Sequence, residues 1–255
     1  MEYQKNTIET IEISVVMPCL DEEETIETCI KKVQNTFKSE GIEGEIIISD
    51  NGSKDRSMNI AKSLDVKVVQ EQNKGYGFAL QRGFSEAKGK YIIMGDADDS
   101  YDWNDIPIFL NKLREGYDFV MGTRLKGKIK KGAMPFLHRY IGNPVLSWIL
   151  RKLFNGKFSD AHCGLRAFTN IAMQKMDLRT GGMEFASEMA IKASLLRLNT
   201  IEIPITLYPD GRTKPPHLKP FRDGWRHLRY MLILFFQKHL FFYAPKINKD
   251  KFSVD

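Results

Sequence analysis

The strongest constraint on this chain is a change of hydrophobic period that repeats along its first half. Short apolar runs at residues 11–17, 45–49, 66–69, 91–94 and 118–121 each read as one buried strand. Between them apolar residues recur at helical spacing, predicting helices at 22–37 with Asp21 as the cap, at 55–64, at 77–87 and near 104–114. Strands alternating with helices imply βαβ units with right-handed crossovers, hence an α/β fold whose mostly parallel, twisted sheet is flanked by helices. In such sheets ligands sit beyond the carboxyl ends of the strands. Four polar stretches fall there: Pro18 to Glu24, Asp50 to Ser53, the crowd of Asp96, Asp98, Asp99, Asp102 and Asp105, and Gly122-Thr-Arg124. Any one alone is ordinary; four together predict a single polar cleft.

The second half is less regular. A basic loop at 124–131 precedes a predicted helix at 135–154, an unassigned stretch at 160–168, a helix near 184–198 and a strand at 201–205. A Pro/Gly-rich loop at 208–220 leads into a final helix at 221–242. The length of 255 residues suits one large domain or a domain with an appendage. Three scattered cysteines, Cys19, Cys29 and Cys163, lack CxxC spacing and argue against a disulfide framework or a zinc site, favouring a reducing compartment. The polar first residues do not read as a secretory signal, and Asn51-Gly-Ser53 reads as a turn rather than a glycosylation site. No segment reaches the ~20 uninterrupted apolar residues of a membrane span. The net charge of +6 points to anionic partners.

Asp96-Ala-Asp98 places two carboxylates at the mouth of a rigid strand. Hard oxygen ligands suit Mg²⁺ or Mn²⁺, which takes one or two protein carboxylates and fills its shell with water and substrate phosphate. Such a metal would bridge a diphosphate and offset charge as it departs. Other phosphate cradles are missing: Gly75-Tyr-Gly77 is followed by Leu80 where a third glycine belongs, and Gly89-Lys90, Gly127-Lys128 and Gly156-Lys157 lack the Ser or Thr of a P-loop. Phosphates are therefore left to the metal and to arginines.

Pro18-Cys-Leu-Asp-Glu-Glu23, Asp50-Asn-Gly-Ser-Lys-Asp55, Asn73-Lys-Gly75, Asp96-Ala-Asp98 and Gly122-Thr-Arg124 match glycosyltransferase family 2 in order and spacing. Arg139, Cys163-Gly-Leu-Arg166, Gly182-Met-Glu-Phe-Ala-Ser-Glu188 and Pro209-Asp-Gly-Arg212 extend the match over nearly the whole chain. The chain thus resembles that family on its GT-A nucleotide-sugar-binding fold, and within it the dolichol-phosphate mannose or glucose synthase-like hexosyltransferases. The resemblance implies a nucleoside held by Pro18, Leu20, Glu22 and Asp50, with Ala97 near the ribose. It also implies a metal on Asp96 and Asp98, an acceptor phosphate clamped by Arg124 and Arg139, and Arg212 reaching the donor phosphates when its loop closes. Asp98, Arg124 and Arg139 are the expected catalytic group. Asp160, Glu184 and Glu188 are candidates for holding sugar hydroxyls, Glu188 equally a structural helix residue. Three positions depart from the pattern: Ser100 for a frequent Gln, Asp21 for Asn and Asn51 for Asp.

The implied reaction is inverting transfer of a hexose, from UDP-glucose as first choice and GDP-mannose as second, to a polyprenyl or dolichyl phosphate at the cytoplasmic face of a membrane. Residues 1–210 would form the catalytic domain, 211–245 an acceptor loop and membrane-interface helix, and 246–255 a polar tail. The enzyme would be peripheral, or held by a C-terminal anchor outside this sequence. Lys126, Lys128, Lys130 and Lys131 beside Arg124 suit an anionic lipid surface. Trp225, Leu228, Leu232, Phe235, Phe236 and Tyr243 recur at helical spacing, with Arg222, Arg226 and Arg229 on another face. That helix reads either as lying in the membrane interface or as packed on the core. The alternative acceptor is a glycan or lipid hydroxyl, which demands a carboxylate base. A nucleic-acid-binding module is disfavoured, because no aromatic residue interleaves the basic run at 124–131.

Overall fold

A computed structural model of the chain describes residues 11–213 and 220–243, with side chains up to residue 237 in the last helix. The polar tail at 246–255, the loop segment 214–219 and the Tyr243 side chain lie outside the described residues. The alternating first half forms as its period dictates. Strands β1 (Ile13–Cys19), β2 (Gly44–Asp50), β3 (Lys67–Gln70) and β4 (Tyr91–Met94) alternate with helices α1 (Ile26–Glu40), α2 (Ser57–Ser63) and α3 (Tyr76–Ser85). Helix α4 (Ile106–Arg114) then leads into β5 (Phe119–Ile129). Beyond it come α5 (Asn143–Phe154), β6 (Arg166–Thr169), α6 (Asn170–Met176), α7 (Phe185–Leu195), β7 (Thr200–Leu207) and α8 (Pro220–Tyr243).

The seven strands form one sheet in the order β3-β2-β1-β4-β6-β5-β7. β1 pairs in parallel with both β2 and β4, so the chain winds one way from β1 and resumes on its other side. That reversal opens a crevice at the carboxyl ends of β1 and β4, where α/β sheets bind ligands. Both strands are apolar on both faces, as a sheet covered on each side requires. Rings of Phe84, Phe119 and Phe168 meet edge-on at 5.2 Å and stacked at 5.9 Å, joining α3 to the sheet's centre.

Several elements differ from the sequence reading. β6 is antiparallel to both β4 and β5, and its four residues carry too little alternation to stand out. α6, following directly, was also unassigned. The basic run begun by Arg124 is no loop: β5 continues to Ile129 past a bulge between Thr123 and Lys128, pairing with β7 alone. Asp21 does not cap α1; it sits in the left-handed region at φ 56° and its carboxylate accepts from Lys54 N–H at 2.7 Å. The helix predicted at 135–154 opens as a π-helical turn, His138–Gly142, in which Asn143 N–H bonds back to His138 O. Pro144 has no N–H to continue the normal ladder, so the turn widens.

Helix α8 has one face on the core and the other in solvent. Asp223, His227 and Met231 are buried where it packs on α5 and α7, while Phe221, Trp225, Leu232 and Phe236 on its other side are exposed.

Candidate active site

Three motif loops are bolted together above β1, β2 and β4. Asp21 N–H donates to Ser53 Oγ at 2.9 Å, Glu22 N–H to Ser57 Oγ at 2.8 Å and Glu23 N–H to Asp55 Oδ2 at 3.0 Å. These bonds satisfy N–H groups at the approach to α1 that lack helical partners. Thr25 Oγ1 donates to Ala97 O at 2.7 Å, tying the same turn to the aspartate loop. Asn51 Nδ2 donates to Glu71 O and Asn73 O while its Oδ1 accepts from Gly75 N–H at 2.7 Å, fixing a fourth loop, the one after β3. Gly75 stands at φ 151° and a Cβ there would strike Gly181 O, so no other residue fits.

The loops enclose a cavity of about 450 Å³ whose wall includes Pro18, Leu20, Glu22, Asn51, Asp96, Ala97, Asp98 and Arg212. Among the residues assigned to the donor, Asp50 alone is absent from the wall. It is buried, and its Oδ1 accepts from Ser53 N–H at 2.9 Å, so it braces the turn while Asn51 lines the space.

Carboxylates crowd this wall. Asp96 Oδ1 accepts from Tyr76 O–H at 3.0 Å. A Cβ on Gly164 would meet Asp96 Oδ2 at 2.7 Å, so the glycine of Cys163-Gly-Leu-Arg166 keeps that oxygen's surroundings open. Burial, with the Asp98 charge beside it, raises Asp96 to about 6. Burial raises Glu22 to about 7, helped by Asp98 and Asp96 and opposed by Arg212. The Arg212 guanidinium spans Glu22 at 3.0 Å and Asp98 at 3.1 Å, while its buried Nε has no hydrogen-bond partner among the described residues. Tyr208 N–H to Ser100 O and Gly211 N–H to Asp98 O, both 2.9 Å, hold this loop against the aspartates. Asp96 and Glu22, with raised proton affinity, stand with Asp98 as closely set hard oxygens, a donor set that a divalent cation relieves, so the residues present fit Mg²⁺ or Mn²⁺.

Glu22 carries a pH test. The folded chain binds its proton more tightly than the unfolded chain, where Glu titrates near 4.3. Ionising it therefore costs stability, a cost that grows as pH rises from that value towards about 7 and is then constant. Glu22→Gln is expected to raise the melting temperature at pH 8 and leave it nearly unchanged at pH 5. An equal change at both would mean the carboxyl is not perturbed.

A second cavity of about 620 Å³ shares Asp96, Asp98, Met183 and Asp223 with the first. Arg124, His138 and His162 are in its wall. Arg124 is already engaged: its Nε and Nη2 meet the two Asp160 oxygens at 2.8 and 2.7 Å, and its N–H the same carboxylate at 3.0 Å. Asp160, fully buried, is therefore not a holder of sugar hydroxyls. Burial alone would raise it, but the Arg124 charge and hydrogen bonds bring it below the usual carboxylate range. Arg139 lines neither cavity; the π turn carries its guanidinium to 5.2 Å from the Tyr140 ring. Glu184 pairs with Arg226 at 2.8 Å. Glu188 is structural: buried in α7, it accepts from the N–H groups of Arg179 and Thr180 and pairs with Lys192 at 2.8 Å.

Sequence reasoning gave no role to Tyr76, Met183, His162, Asp223 or His227, which stand in the cavity walls. Tyr76 was visible only as the middle of a failed glycine motif, and the others lie in segments whose meeting depends on β6 and α8.

Residues 14–180 match the family described as Glycosyl transferase family 2. The chain is 43% identical over 222 residues to the low-salt glycan biosynthesis hexosyltransferase Agl6 of Haloferax volcanii, covering 87% of this chain but 53% of that relative. Thus it spans about half that protein's length. It is 30% identical over 223 residues to a UDP-N-acetylglucosamine–dolichyl-phosphate N-acetylglucosaminyltransferase of Methanococcus voltae, covering 78% of this chain and 86% of the relative. In architecture it is similar to glucosyl-3-phosphoglycerate synthase of Mycobacterium tuberculosis, solved with Mn²⁺, UDP and phosphoglyceric acid. The TM-score is 0.68 at 22% identity, over 88% of this chain and 78% of that one. With its mostly parallel sheet, its aspartate pair and a match over most of its length, the chain has the GT-A fold and belongs to glycosyltransferase family 2.

Proposed function

We propose that the protein transfers a hexose from a nucleotide sugar to a polyprenyl phosphate at a membrane surface. One observation carries this reading: Asp96 and Asp98 stand in the wall common to two cavities, so a diphosphate beside them would point its nucleoside into one and its sugar into the other. The relative acting on dolichyl phosphate supports the acceptor. Its UDP-sugar donor, and UDP in the structural neighbour, favour UDP-glucose over GDP-mannose as the first donor to try.

Asp96 and Asp98 would hold the divalent metal, which when bound offsets charge gathering on the departing nucleoside diphosphate. Pro18, Leu20, Glu22 and Asn51 enclose the nucleoside, and the partnerless Nε of Arg212 is a donor for a phosphate oxygen. Arg124 spends two of its five side-chain N–H donors on Asp160, which fixes its plane and leaves others for an acceptor phosphate. A phosphate monoester, with a second pKa near 6, is already an anionic nucleophile at neutral pH. It needs positioning rather than a base, and in-line attack inverts the anomeric carbon. Incubating the protein with Mn²⁺, a short polyprenyl phosphate and a panel of nucleotide sugars tests the reading directly. Lipid-linked hexose is the expected product, and none from any donor would defeat it.

Membrane contact has physical support. Phe136 (73% exposed) and Trp148 (53%) on and before α5, with Phe221 (85%) and Trp225 (61%) on α8, put large apolar groups in water on two elements that pack together. Lys126, Lys128 and Lys130 on and after β5 are exposed as well. No described helix is long and apolar enough to cross a membrane. Replacing Phe136 and Trp225 together by Ser is expected to weaken co-sedimentation with anionic vesicles by about tenfold or more, the loss of two inserted rings. Unchanged sedimentation would remove these residues from the contact.

A further inference from the structure

His162 lies in the wall of the second cavity, four residues before Arg166 at the start of β6, and outside every role assigned above. Its Nε2 is 3.0 Å from Ser187 Oγ, and that oxygen is 2.9 Å from Nδ1 of His227 on α8. The two imidazoles meet edge-on at 4.5 Å. Ser187 and His227 are themselves buried, so the contacts that hold the His162 ring are shielded from water. Yet its Nδ1 is buried and has no hydrogen-bond partner among the described residues. An unpaired buried polar atom costs stability, and a side chain fixed at one nitrogen while the other stays unpaired is arranged for a ligand.

We propose that His162 Nδ1 is a sugar-specificity contact that hydrogen-bonds a hydroxyl of the hexose carried by the donor. This rests on the donor reading above, since the cavity that His162 lines shares Asp96 and Asp98 with the nucleoside cavity and receives what the diphosphate carries. A hydroxyl both donates and accepts, so it satisfies either tautomer that the Ser187–His227 chain selects. Burial, with the nearby His227, Arg166 and Arg124 charges, independently holds His162 well below the ordinary histidine range. It is thus a neutral partner, suited to a hydroxyl rather than to a phosphate.

Two substitutions separate the nitrogens. In His162→Asn the amide takes the place of Nδ1 and the link to Ser187 is lost. In His162→Gln the amide takes the place of Nε2 and the cavity contact is lost. Affinities for UDP and UDP-glucose, and for GDP and GDP-mannose, would be measured by calorimetry with Mn²⁺, with thermal unfolding as a check on folding. For the pair that the wild type binds, Gln is expected to weaken the sugar nucleotide about tenfold while leaving the bare nucleotide unchanged, and Asn to keep both within about threefold. The inference is overturned if Gln matches wild type, if Gln weakens nucleotide and sugar nucleotide alike, or if Asn falls with Gln. Should the wild type bind neither nucleotide, the donor reading fails first and this contact with it.

Discussion

Asp98→Asn is expected to lower turnover by at least about a thousandfold, roughly 4 kcal/mol of transition-state stabilisation. The argument is one of charge. Asp98 Oδ1 accepts from Ser100 N–H at 3.1 Å and Oδ2 from Arg212 at 3.1 Å, and an amide oxygen can keep either bond. Asparagine thus preserves the loop while removing the negative charge that a cation on the diphosphate requires. Asp96 would lose its crowding neighbour and fall from about 6 towards the ordinary carboxylate range, since part of its rise comes from Asp98. Turnover is read as lipid-linked product from the best donor across a Mn²⁺ titration. Wild-type rates in this variant would end the assignment of the aspartate pair to a metal.

Arg124→Ala carries the largest expected loss of stability, about 3–5 kcal/mol, because it leaves Asp160 charged and buried with its main partner gone. The pair also sets a pH dependence. Asp160 is held below its unfolded value near 3.9, so its contribution is present above that value and is lost as pH falls through the folded value. Arg124→Ala should therefore narrow its gap from wild type in strong acid. Adding Asp160→Asn should recover much of the lost stability, since the stranded charge is then gone. Urea unfolding of the two single variants, the double variant and wild type measures this coupling. A stable Arg124→Ala protein that bound acceptor poorly would instead make the arginine a phosphate clamp and little else.

The site was half legible in advance for a definite reason. Pro18, Leu20, Glu22, Asp96, Ala97 and Asp98 each sit at the end of a strand whose apolar run announces it, and parallel neighbours bring such ends together. Arg212, given its place by its motif rather than by periodicity, lies in the wall of the first cavity and reaches Glu22 across 190 positions. Arg139, expected beside Arg124, lies on a π turn and in neither cavity wall, an irregularity that no period reveals. Asp160, a candidate for sugar hydroxyls, is instead buried against Arg124 of β5, a pairing across 36 positions that leaves no periodic trace.

Local order alone determined the alternating half of this protein: which residues are strand, which are helix, and which polar turns crown the sheet. Those features depend on side-chain period and on residues within a few positions of one another. Only tertiary packing decided that β6 would enter antiparallel, that Arg124 would face Asp160, and that His162, Ser187 and His227 would meet. Such contacts join segments whose separation in the chain leaves no periodic trace, and their energies exist only once burial has removed the competing water.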